Sequence, residues 1–134
     1  MESSCEILKT KELPYGKIEL RSDNILVFRP CDSCFKEYNL EILKELHIEF
    51  VKITDGIPRP YMANNKCITG IVNKEEMAFI DANFSDFATK SAIITHSTVM
   101  KVLINTYNSL FKPKVEIRLF TVEEPAVKWL LQER

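Results

Sequence analysis

Residues 91–120 read SAIITHSTVMKVLINTYNSLFKPKVEIRLF. The opening apolar run is too short for a helix and rich in β-branched residues, which predicts a buried strand over residues 91–95. Ser97 or Thr98 can cap the helix that follows. From Val99 to Phe111, the residues Val99, Leu103, Tyr107 and Leu110 share one helical face. Met100, Ile104 and Phe111 widen it, so a largely buried helix is expected. Lys112-Pro113-Lys114 ends that helix, because proline lacks the donor and clashes with the preceding turn. Residues 115–120 alternate Val115, Ile117 and Leu119 with Glu116 and Arg118, the period of a strand. Two strands joined by a helix predict a parallel crossover and hence an α/β layer. The stretch contains no catalytic constellation.

The whole chain is compatible with that layer. Its 134 residues are 46% hydrophobic, enough for one domain that buries roughly two-thirds of its unfolded surface. No metal or disulfide is required for folding. Lys and Arg total 18 against 19 Asp and Glu, so no global field draws the protein to nucleic acid or to an anionic membrane. No segment approaches the ~18 consecutive apolar residues of a membrane span, and residues 1–14 are too polar for a signal peptide. A cytoplasmic protein is expected. Its four cysteines are irregularly spaced, and the default in a reducing compartment is free thiols.

Towards the N-terminus, residues 1–14 mix Ser, Glu and Lys without a period and are expected to form a flexible tail ending at Pro14. The single domain then spans 15–134. Residues 16–21 alternate Ile18 and Leu20 with charged neighbours. Ser22-Asp23-Asn24 supplies a turn, and residues 25–28 are apolar, which together predict a β-hairpin. A first helix capped by Asn39 runs to about Ile53, buries Leu43, Leu46, Phe50 and Ile53, and closes at Asp55-Gly56. His47 lies on the margin of that face and is expected in the core. Prolines 58 and 60 stiffen the connection to a strand over residues 61–64. A second helix, capped by Asn73, is predicted to run to about Ala88 with Met77, Ile80, Phe84, Phe87 and Ala88 on one face. The last helix is predicted to open at Thr121, with Glu124 completing a capping box. Val127, Leu130 and Leu131 are expected to bury it, leaving Trp129 off the stripe.

Three patterns carry chemistry. Cys31-Asp32-Ser33-Cys34 is a CxxC, and such a pair at a helix N-terminus lowers a thiol pKa, the basis of dithiol redox sites. Here the helix starts several residues too late, and the pair lacks a Gly-Pro interior and a flanking Trp. Unreactive turn thiols are the simpler reading. A zinc site would need two further ligands, whereas Cys5, Cys67, His47 and His96 are scattered without ligand spacing, so no metal or other cofactor is expected. His96-Ser97-Thr98 joins an imidazole and two hydroxyls to free N–H groups at a helix start, an anion pocket in outline. A plain helix cap needs only one of those hydroxyls. Glu37, Glu41, Glu45 and Glu49 recur every four residues, which normally marks a solvated face, with Ile48 lying among them. No Ser, His and Asp grouping assembles, and three glycines make no phosphate loop.

The order is hairpin, helix, strand, helix, strand, helix, strand, helix. With Tyr15-Gly16-Lys17-Ile18-Glu19-Leu20, Asn64 through Gly70-Ile71, Lys112-Pro113-Lys114-Val115, Leu119-Phe120-Thr121 and Ala126-Val127-Lys128-Trp129-Leu130, it resembles the SpoIIAA-like fold of STAS domains. These form the anti-sigma-factor antagonist class, and the likeness extends to small bacterial STAS-like proteins without assigned function. It covers residues 15–131 and implies an α/β domain with a mixed sheet and mainly parallel crossovers. In phosphorylatable STAS domains, a kinase modifies the serine of an Asp-Ser pair at a helix start. The resemblance places Val72 and Asn73 at that pair, and Asn64 where many relatives carry Asp, so the phosphoacceptor is missing. Thr69 is the nearest upstream hydroxyl.

What the resemblance then implies is a non-enzymatic protein-binding or regulatory module. It docks a protein partner, rather than nucleic acid or membrane, through Cys67, Thr69, Asn73 and Met77. Surplus apolar surface leaves room for a homodimer. The alternative is a small-molecule or lipid binder with a pocket at His96, Ser97 and Thr98. A third reading is redox chemistry at Cys31 and Cys34.

Overall fold

The computed structural model describes residues 5–31, 37–68, 73–111 and 115–132. Six strands form one sheet in sequential order: β1 (Ile7–Leu13), β2 (Gly16–Arg21), β3 (Leu26–Pro30), β4 (Arg59–Asn64), β5 (Ala88–Ile94) and β6 (Glu116–Phe120). The first three pair antiparallel, and β3 to β6 run parallel. Each parallel step is bridged by a helix: α1 (Leu40–Ile53), α2 (Lys74–Asn83) and α3 (Thr98–Phe111). α4 (Glu123–Leu131) follows β6.

Strand alternation sorts the core into two layers. Leu26, Phe28, Tyr61 and Ala63 pack under α1 with Leu46 and Phe50, and Ile117 meets Met77 of α2 and Ile104 of α3. The intervening residues Val27, Met62, Ala92 and Ile94 face the other way, against Ala126, Trp129 and Leu130 of α4. Three helices thus share one face, and among the described residues α4 covers the other alone. Gly16 is required by close approach, since a Cβ there would meet the Arg29 carbonyl oxygen at 2.6 Å. Asp55 and Gly56 take positive φ of 56° and 75° to turn the chain out of α1.

The predicted hairpin is β2 and β3, the crossover from β5 through α3 to β6 is parallel, and Asn39 caps α1 by accepting from Ile42 N–H. Several expectations are corrected. The flexible tail contains β1, an edge strand whose side chains are almost all exposed. Backbone pairing with β2 holds it, and Lys9 donates to the Ile53 carbonyl and pairs with Asp55 at 3.0 Å. A strand solvated on both faces leaves no apolar alternation to read. α2 stops at Asn83, and residues Phe84–Asp86 tighten into a 3-10 turn before β5 begins at Ala88. The aromatic spacing that extends the helix on paper instead joins a ring cluster, with Phe87 4.6 Å from Phe50 and 4.8 Å from Phe84 between centroids.

α4 opens at Glu123 with Val122 at its cap and no capping bond from a side chain. It buries Ala126, Trp129 and Leu130 while Leu131 is exposed. Both triplets obey helical spacing, and contact with the sheet selects the one containing the Trp. α3 buries Ile104 but leaves Val99 61% and Val102 62% exposed, because it lies over the β6 edge of the sheet with no further element beyond it among the described residues. The side chains of Tyr107, Leu110 and Phe111 lie outside the described set. His47 sits at the periphery rather than in the core, 2.9 Å from Asp86 and edge-on to Phe79.

Candidate ligand-binding site

The face under α1, α2 and α3 is not fully packed. β4 and β5 each contribute one small residue set beside a large one, Ala63 beside Ile93 and Ser91 beside Tyr61. Helices cross above them, and a cavity of about 70 Å3 remains. Its floor is Tyr61, Ala63, Ser91, Ile93 and Ile117. Leu43, Leu46 and Phe50 of α1, Met77 and Ile80 of α2, and Met100 and Ile104 of α3 form the roof, and Tyr38, Asn65 and Phe84 complete the wall. No charged side chain among the described residues lines it.

Its polar groups are few and neutral. Ser91 is fully buried, and its Oγ has no hydrogen-bond partner among the described residues. Leaving a buried hydroxyl unpaired costs about 1–3 kcal/mol, so such a group calls for an explanation. The Tyr38 hydroxyl donates to Asn65 Oδ1 at 2.7 Å, and Asn65 is itself fixed by its backbone N–H bonding the Ile94 carbonyl. Burial pushes the phenols of Tyr38 and Tyr61 well above their ordinary range, so both stay protonated at physiological pH. The arrangement encloses an uncharged, mostly apolar group and offers it hydrogen bonds. Among the described residues, no three His, Cys, Asp or Glu side chains come together to hold a metal.

Residues 18–134 match the family model of a domain of unknown function, DUF7793. The chain belongs to the DUF7793 family. The structure is similar to that of an uncharacterised protein of the DUF3478 family from Shewanella loihica PV-4 with a SpoIIAA-like fold. The TM-score is 0.58, covering 97% of this chain and 98% of that one at 14% identity. At this identity the likeness shows the fold alone. The DUF7793 domain is a SpoIIAA-like α/β domain, with its antiparallel hairpin leading into parallel strands alternating with helices. No curated protein matches the chain.

Within this DUF7793 domain the residues singled out by sequence are dispersed. Met77 is buried at 9% exposure and belongs to the cavity roof. Asn73 is engaged in a reciprocal capping box: its side chain accepts from Glu76 N–H and its own N–H donates to Glu76 Oε1, both at 2.8 Å. Cys67 is half-buried, and its Sγ lies 4.0 Å from the Cys31 carbonyl oxygen. Thr69 and Val72 lie outside the described residues, as does Cys34. Cys31 is disulfide-bonded, which corrects the expectation drawn from compartment. Ambient potential sets that default, whereas local proximity decides whether a bridge can close.

His96, Ser97 and Thr98 do not border the cavity. Ser97 Oγ accepts from Met100 N–H at 3.1 Å, His96 Nε2 bonds the Thr121 carbonyl at 3.1 Å, and Thr98 is an exposed first residue of α3. Tyr38, Asn65 and Ser91 escape the sequence reading. Only Ser91 leaves a trace there, as a polar residue that shares parity with Ile93 in a buried strand.

A second polar group lies on the α4 face. Arg29 donates to Glu123 Oε2 at 2.7 Å and to Glu19 Oε1 at 3.1 Å, and Asn64 Nδ2 donates to the same Glu123 oxygen at 2.6 Å. Burial pushes the Glu123 carboxyl up, but the bonds from Arg29 and Asn64 and the nearby cations outweigh it and hold it below its ordinary value. This group is fully paired and pins the start of α4 to β3 and β4.

Proposed function

We propose that this domain is a non-enzymatic binding module whose ligand is a small, largely apolar molecule seated between the sheet and helices α1, α2 and α3. The observation that carries this reading is the cavity itself, enclosed by three helices, free of charged lining among the described residues, and floored by a buried hydroxyl with no partner there. The neutral phenols of Tyr38 and Tyr61 suit the binding of an uncharged molecule. Methyl-resolved NMR against a set of small uncharged organic molecules tests it. Saturable shifts at Met77, Met100, Ile93 and Ile104, with Ile25 and Ile94 on the opposite face unmoved, are expected. No saturable shift at those methyls would reject the reading.

A second reading is docking of a protein partner through the outer side of α3. The exposed Val99 and Val102, beside the shallow apolar groove they form with Leu103, favour it. The same surface is what a homodimer would use. On this reading Val99→Asp with Val102→Asp abolishes partner capture and leaves the fold intact.

A further inference from the structure

The proposal that follows rests on the cavity reading and adds the chemistry of the ligand. We propose that the ligand is an uncharged molecule with one hydrogen-bond acceptor, a carbonyl oxygen, which the Ser91 hydroxyl meets on the cavity floor.

Ser91 lies midway along β5, paired in register with Tyr61 on β4 and Ile117 on β6, so backbone geometry fixes where its Oγ sits. Tyr38 has already committed its one hydroxyl proton to Asn65. The Ser91 proton is uncommitted among the described residues, so the floor presents a donor and asks for an acceptor. A carboxylate also accepts, but it would enter a space with no cation in its lining among the described residues, and desolvation of an unpaired ion outweighs one hydrogen bond. At about 70 Å3 the space is roughly half that of the engineered apolar cavity of about 150 Å3 that takes a benzene ring. It therefore suits about four heavy atoms, either a whole small ketone or the carbonyl-bearing end of a longer molecule.

Acetone, acetate and isobutene share one size and shape and differ in charge and acceptor, so they separate the contributions. Titrations followed at the Met77, Met100 and Ile93 methyls are expected to show acetone and isobutene binding and acetate leaving these signals unmoved. Ser91→Ala is expected to weaken acetone about fivefold or more, to leave isobutene unchanged, and to melt no lower than the unaltered protein. Ala63→Val, which fills the cavity without touching the hydroxyl, is expected to abolish binding of both. Equal acetone affinity in Ser91→Ala and the unaltered protein, or acetate binding as well as acetone, overturns this ligand assignment while the cavity reading stands. If none of the three moves the cavity methyls, the cavity reading falls and this proposal with it.

Discussion

On the α4 face of the sheet, buried polar groups end in partners, whereas on the opposite face a buried hydroxyl and a cavity are left open. Lys90, nearly buried in the middle of β5, donates to the Trp129 and Gln132 carbonyls at 2.8 and 3.1 Å, satisfying groups that the end of α4 leaves free. Its ammonium and the Arg118 guanidinium both lie 4.8 Å from the centre of the Trp129 ring. At the other end of the helix, Arg29 and Asn64 hold Glu123. A single helix must seal four strands, and it does so with one Trp and ionic clamps at both termini. Three helices share the other face, and their crossing leaves a space between them. The contrast teaches that one side of this sheet is committed to stability, while the other keeps an unfilled volume.

The comparison breaks most visibly at Trp129. Trp129→Ala should lower unfolding free energy by about 3–5 kcal/mol in urea melts, since it removes the largest side chain of the α4 layer. A loss below about 1 kcal/mol would mean that α4 is not the seal described. Lys90→Met should cost less, about 1–2 kcal/mol, because the aliphatic stem is kept while two α4 carbonyls lose their donor. Chemical melts at neutral pH read it directly, and an unchanged midpoint would remove the C-terminal clamp from the comparison.

The smallest effect concerns pH. Glu123 has a folded pKa below its ordinary 4.5, so the stability it contributes is fully present above that value and is lost as pH falls through the lower folded one. Glu123→Gln should therefore cost about 1 kcal/mol at pH 7 and progressively less as the buffer is acidified. Melting curves for the two proteins that stay parallel from pH 7 to pH 3 would contradict the clamp at the α4 N-terminus.

The strands and helices with one-sided burial were legible before any coordinates. Leu43, Leu46, Phe50 and Ile53 mark α1, and Asn39 and Asn73 announce the caps, since a short side-chain oxygen reaches backbone N–H groups two or three residues on. β1 was not legible, because pairing at a sheet edge uses backbone atoms that every residue carries. The end of α2 was misread because Phe84 and Phe87 suit either a helix face or a ring cluster. Of the candidate site, sequence supplied Met77 as a buried-face residue, but the site it proposed at His96 and Ser97 is a cap and a surface contact.

What the sequence by itself determined is the alternation of elements and, through the resemblance its motifs carry, a SpoIIAA-like α/β fold. Periodicity and capping are local properties, and fold order follows from them. Only the tertiary structure decided that three helices share one face, that Trp129 rather than Leu131 seals the other, and that Ser91 faces a cavity with Tyr38, Asn65 and Met77 around it. Those four residues come from a strand, two loops and a helix far apart in the chain. A void arises from the difference between the volume that packed elements enclose and the volume their side chains fill, a quantity that no single stretch of sequence contains.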